Sequence, residues 1–127
     1  DIISGRFNWK NKVNSNLRPS LVDNYIFTFS IEGFFIVIEK NTGEIIRITD
    51  VFNIFKSEKR KKIEPVGFIV GLKNIFLTTT NGRLLVIDIL TGITLKNLKI
   101  DNEKISKPFF SNQNLFLIKD SAIIKLN

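Results

Sequence analysis

Two carboxylates stand at matching places in the chain. Glu39 opens Glu39-Lys40-Asn41-Thr42-Gly43 and Asp88 opens Asp88-Ile89-Leu90-Thr91-Gly92. A carboxylate so placed can bind a cation, or it can accept hydrogen bonds from the amides of the turn it precedes. The second role needs nothing outside the turn, and it is the expectation here. The run Lys56-Ser57-Glu58-Lys59-Arg60-Lys61-Lys62 is the only strongly charged stretch in a chain of net charge +7. It can attract nucleic acid, acidic lipid or an acidic protein surface, or stand as a solvated loop, which is the plainer reading. It lacks the interleaved aromatics that stack on bases and has no adjoining groove-binding helix, so nucleic acid is not expected.

Trp9, the only tryptophan, could stack on a cofactor or dock one sheet on another. The twelve phenylalanines could line a groove or fill a core. Packing is the expected role of both, because apolar residues at strand spacing are core by default. Thr78-Thr79-Thr80 is a β-branched strand end and needs no catalytic reading. There is no cysteine and no histidine, which removes thiolate and imidazole metal ligands, cysteine nucleophiles and every histidine-based triad. No catalytic residue, metal or cofactor is expected.

The elements that hold these residues read as repeats. Acidic residue, two residues, Thr or Ser, then Gly occurs a third time as Asp1-Ile2-Ile3-Ser4-Gly5. Gly5, Gly43 and Gly92 lie 38 and 49 residues apart, and Gly33 and Gly82, which follow Glu32 and Asn81, are also 49 apart. One period is thus about 40 residues. The longer interval holds the charged stretch, an insertion over 53–64 in the connection between units. Each unit is expected to carry four strands. The first strands fall at 20–22, 67–70 and 109–110, the second at 25–30, 75–80 and 115–119. The third fall at 34–39, 84–88 and 123–126, the fourth at 6–10, 44–49 and 93–99. Units therefore span about 17–52, 66–100 and 108–127, with 1–16 the last strand of a preceding unit and 1–127 one domain.

Asn81-Gly82 between apolar runs predicts a type I′ hairpin, with positive φ at both central residues. Gly92 is expected in the left-handed position of a longer turn. Leu84-Leu85-Val86-Ile87 is apolar on both pleat faces, which means a strand covered from both sides. In an antiparallel meander that cover must be another sheet on each face. Helical spacing occurs only over 48–58, through Val51, Ile54 and Phe55. No apolar run approaches the roughly 18 residues of a membrane span. The chain begins at Asp1 without a signal-like segment, so a fragment or mature portion of something longer is expected.

Acidic-x-x-Thr-Gly-x-x-x-Trp after a strand and a Gly turn resembles the repeat of the pyrroloquinoline-quinone-type β-propellers. Asp1 to Trp9 carries it in full, while Arg47 and Lys96 stand at the tryptophan position of the next two copies. The resemblance implies an all-β partial propeller of about two and a half to three four-stranded blades. That family holds quinoprotein dehydrogenases and non-enzymatic propellers, among them scaffolds of outer-membrane assembly. It implies a non-enzymatic binding scaffold with protein partners, in the periplasm or cell envelope, with membrane association through an upstream anchor. Two alternatives stay open: the C-terminal blades of a quinoprotein-like dehydrogenase whose active site lies upstream, and a sensor or anion-binding module using the basic loop. The candidate contact surface is Lys56, Lys59, Arg60, Lys61 and Lys62 with the turns at Gly33 and Gly82. An incomplete ring would leave sheet faces and edges exposed, so the chain is either a homo-oligomer or part of a longer propeller.

Overall fold

The computed structural model describes residues 7–126. Among the described residues eleven strands form three antiparallel sheets, built as successive meanders, with one helical turn between the first two. The first sheet is β1 (Ser20–Val22), β2 (Tyr25–Phe29), β3 (Phe34–Glu39) and β4 (Ile45–Asp50). Then α1 (Ser57–Arg60) leads to the second, β5 (Pro65–Val70), β6 (Asn74–Thr79), β7 (Arg83–Asp88) and β8 (Thr94–Lys99). The third has three strands, β9 (Phe109–Ser111), β10 (Asn114–Lys119) and β11 (Ala122–Leu126). Neighbours in sequence pair in order within each sheet, as a radial stack of blades requires.

Register decides which residues meet. Phe27 faces Val37 and Phe29 faces Phe35 across β2 and β3, which puts all four on one face, here the forward face of the first sheet. Ile75 faces Ile87 and Leu77 faces Leu85, on the rear face of the second. These eight form one buried cluster with Val51, Phe52, Ile63 and Phe68. Phe35 stacks on Phe29 with centroids 5.1 Å apart, and Phe68 of the second sheet meets Phe29 edge-on at 4.9 Å. The forward face of the second sheet meets the third in the same manner, through Phe76 against Phe110 at 5.6 Å. Both β3 and β7 are buried along their four central residues, so the doubly covered strands are where the apolar runs put them.

Three features depart from the sequence expectation. At the Asn81 turn only Gly82 has positive φ, +75°, and at the equivalent turn only Gly33, +95°. The amide of Gly82 donates to the Thr79 carbonyl at 3.1 Å, and that of Gly33 to Ser30 at 3.1 Å. One left-handed Gly closing a longer loop replaces the two-residue type I′ turn. Paired positive φ angles occur instead in the third sheet, at Asn112 and Gln113 and at Asp120 and Ser121. Second, β11 is largely exposed, Ile123 at 70 %, because among the described residues no sheet lies beyond it. Third, residues 7–10 form no strand; the rest of the stretch 6–10 lies outside the described residues. Of the segment 48–58, only Ser57 and Glu58 are helical. Val51 and Phe52 turn inward there and are fully buried, which ends β4 in a run of turns.

Candidate functional site

Each turn between the third and fourth strands is closed by its own carboxylate. Glu39 Oε2 accepts from the amides of Thr42 at 2.7 Å and Asn41 at 3.0 Å. Asp88 Oδ2 accepts from the Thr91 amide at 3.0 Å and its hydroxyl at 2.6 Å. The Thr42 amide, with the Thr42 hydroxyl and Asn41 amide, holds the Glu39 carboxyl below the usual carboxylate range, although it is exposed. In each carboxylate one oxygen accepts both turn hydrogen bonds. Among the described residues no group of three or more acidic side chains comes together as a metal site.

Gly43 and Gly92 share φ near +73° and are buried, because a segment from outside crosses each turn, residues 9–11 at Gly43 and β4 at Gly92. Trp9 lies on Gly43, and its indole N–H donates to the Lys40 carbonyl at 2.6 Å. Asn11 donates to the Gly43 carbonyl beside it. On the second sheet Arg47 takes the tryptophan's place: its Nη2 donates to the Ile89 carbonyl at 2.6 Å and its Nη1 to the Leu90 carbonyl. Thr49 sits over Gly92 as Asn11 sits by Gly43. Ile89 follows Asp88 as Lys40 follows Glu39, so indole and guanidinium reach the same carbonyl of successive repeats. Arg47 also lies 5.5 Å from the centroid of Phe35, which ties the contact to the core. Trp9 thus packs on the Gly43 turn in this structure. Lys96, the third residue of the series, is exposed, and Gly5 lies outside the described residues.

The turns at Gly33 and Gly82 belong to the opposite rim. A Cβ on Gly33 would stand 2.7 Å from Phe52 Cβ, and one on Gly82 2.5 Å from the Glu103 carbonyl. Both glycines are buried beneath the connection that leaves their sheet. Exposed Glu32 flanks Gly33; Asn14 Nδ2 donates to its carboxylate at 3.0 Å and holds that carboxyl below its ordinary range.

The insertion 53–64 folds over this rim rather than standing free of it. Ile63 is buried in the core, and Phe55 meets Phe52 edge-on at 5.3 Å. Arg60 clamps the middle. It donates from Nη1 to Asp50 Oδ2 at 2.7 Å and from Nη2 to Oδ1 at 2.5 Å, and Nη2 also reaches the Glu32 carbonyl at 3.2 Å. Its guanidinium covers the Phe34 ring at 5.5 Å. Arg60 is thus engaged, while Lys56, Lys59, Lys61 and Lys62 are exposed. An open cleft of about 780 Å³ is lined by Lys61, alone of these four, with Ile31, Glu32, Phe55, Ser57 and Glu64 among others. Charge density marked the run in the sequence; the clamp left no such signal, because Asp50 and Glu32 belong to other elements.

The geometry defines a segment of a β-propeller, in which four-stranded blades pack face on face. No protein-family model matches the chain, and no curated protein matches it in sequence. Solved structures do. BamB from Moraxella catarrhalis superposes with a TM-score of 0.73 at 12 % identity, over 98 % of this chain and 35 % of that one. The quinohemoprotein alcohol dehydrogenase ADHIIG from Pseudomonas putida HK5 gives 0.64 at 17 %, over 86 % and 17 %. The Cps50 (Swd1) propeller domain from Myceliophteria thermophila gives 0.63 at 14 %, over 78 % and 33 %. The chain spans about a third or less of each of these proteins. Enzymes and non-enzymes share the fold, so likeness at this identity speaks for architecture alone. No helix among the described residues is long and apolar enough to cross a membrane.

Proposed function

We propose that this chain is a non-enzymatic binding segment of a propeller-type protein of the cell envelope, and that it holds an acidic protein segment at the rim carrying the insertion 53–64. The observation that supports this reading is the Arg60 clamp. It orders the loop, so that Lys56, Lys59, Lys61 and Lys62 stand exposed on it, Lys61 at a partly apolar cleft, without first having to be gathered. Ile31 and Phe55 offer apolar contact and the lysines offer charge, a combination suited to an acidic peptide with apolar residues. The envelope location rests on the repeat resemblance.

The test is fluorescence anisotropy of a labelled oligoglutamate peptide containing leucines, titrated with the full chain at low and raised salt. At roughly 0.2–1 kcal/mol per exposed pair, replacing the four lysines by glutamine should weaken binding about tenfold. Affinity should also fall as salt rises. Unchanged affinity in that variant overturns the reading.

A further inference from the structure

The charges at the insertion rim are sorted into two zones. Lys56, Lys59 and Lys62 are exposed on the insertion and lie outside the cleft, with Glu58 the one acidic residue of that run. The cleft itself is lined by Glu32 and Glu64 together with Lys61 and Arg60. Arg60 adds no net charge there, because Asp50 takes both of its Nη groups, at 2.7 and 2.5 Å. Among the described residues neither Glu32 nor Glu64 forms an ion pair. Two carboxylates against one lysine make the cleft anionic, beside a loop that is cationic.

Both carboxylate residues are anchored, one on each of the first two sheets. Glu32 sits in the turn between β2 and β3, where the Ile31 amide donates to the Asn14 carbonyl at 2.8 Å. Asn14 Nδ2 donates to Glu32 Oε1 at 3.0 Å and fixes the carboxylate itself. Glu64 directly precedes β5; its amide donates to Thr80 Oγ1 at 2.9 Å and its carbonyl accepts from the Thr80 amide at 3.0 Å. They share the cleft with Ile31, Phe55 and Ile63, the apolar part of its lining. An apolar side chain seated there brings its neighbours in sequence towards the two carboxylates. Fixed charges of this kind set the register of a contact, because a like charge brought beside them is repelled.

We infer that Glu32 and Glu64 decide which part of a partner enters the cleft: an apolar residue next to a lysine or arginine, with the acidic residues trailing onto Lys56, Lys59 and Lys62. This rests on the proposed rim function and narrows it, from an acidic peptide with apolar residues to one whose charges are segregated. An acidic residue beside the apolar anchor would meet Glu32 and Glu64 instead of the lysines.

Fluorescence anisotropy of the full chain with labelled peptides tests it. Each peptide runs from an acetylated lysine, alanine or glutamate through a leucine and a glycine spacer into a stretch of glutamates. At low salt the lysine peptide should bind about tenfold tighter than the glutamate peptide, with the alanine peptide between them. Glu32→Gln combined with Glu64→Gln should bring all of them within about twofold of one another. Both positions are exposed, so this variant should keep the wild-type circular dichroism spectrum. Glu58→Gln removes a carboxylate of the same loop outside the cleft and should leave the order in place. If no peptide binds, the rim function falls and this inference with it. If the glutamate stretch binds but the residue beside the leucine makes no difference, the inference alone falls. It falls likewise if the order survives the loss of Glu32 and Glu64, or if Glu58→Gln abolishes it, since overall charge would then set the preference.

Discussion

Replacing Gly43 by alanine tests the docking of Trp9 directly. The new Cβ would lie 2.6 Å from Trp9 Cγ. Ordinary carbon contacts are about 3.5–4.0 Å, so the ring must retreat by about 1 Å. The indole N–H donates to Lys40 at 2.6 Å, and that shift carries it past about 3.5 Å, where no hydrogen bond remains. Losing it costs about 1 kcal/mol. Alanine at φ +73° adds about 1–2 kcal/mol of backbone strain. Together these give about 2–3 kcal/mol, of which only the first part should depend on Trp9. Trp9 is the only tryptophan, so its emission reports the contact without interference. In Gly43→Ala the emission should move to the red and quenching by acrylamide should increase. The urea midpoint should fall, and by less when Gly43→Ala is made in a Trp9→Ala background. Unchanged emission with a stability loss under about 0.5 kcal/mol would refute the packing argument, since surface changes without structural consequence stay within that range.

Two further outcomes follow from contacts of the insertion and the turns. Arg60→Ala should speed trypsin cleavage after the lysines at 56–62 and lower the melting temperature slightly, because it frees the loop from Asp50, Glu32 and Phe34. The pair is about a quarter to a third exposed, so screening limits its share to about 1 kcal/mol; cleavage at the wild-type rate would count against a clamp. Glu39 has a lowered carboxyl pKa in the fold, chiefly from the Thr42 amide, so its contribution is present above the ordinary glutamate value and lost as pH falls through the lowered one. Urea midpoints at neutral and acid pH should therefore differ less in Glu39→Gln than in the wild type, and equal differences would remove the carboxylate from the turn's account.

Much of the architecture was legible because it is written in short-range chemistry. Turn glycines recur at fixed offsets from Glu39 and Asp88, and apolar residues run unbroken through Phe35–Ile38 and Leu84–Ile87. Backbone sterics and the burial of apolar area act on neighbours along the chain, so such patterns survive in one dimension. The type I′ reading of Asn81-Gly82 failed for a related reason: the dipeptide tolerates that turn, but where β6 stops decides the loop length, and Thr79 ends it one residue before the loop Thr80 to Gly82.

The amino-acid order by itself determined the recurring turns and the antiparallel sheets they join. Tertiary structure alone decided what each repeat touches. Arg47 read as a departure from the tryptophan pattern, yet it reaches the Ile89 carbonyl, the equivalent of the one Trp9 reaches. Arg60 read as one cation among five, yet Asp50 and the Glu32 carbonyl hold it. Those partners lie 10 to 42 residues away, and no local periodicity encodes a distance that exists only once sheets have stacked.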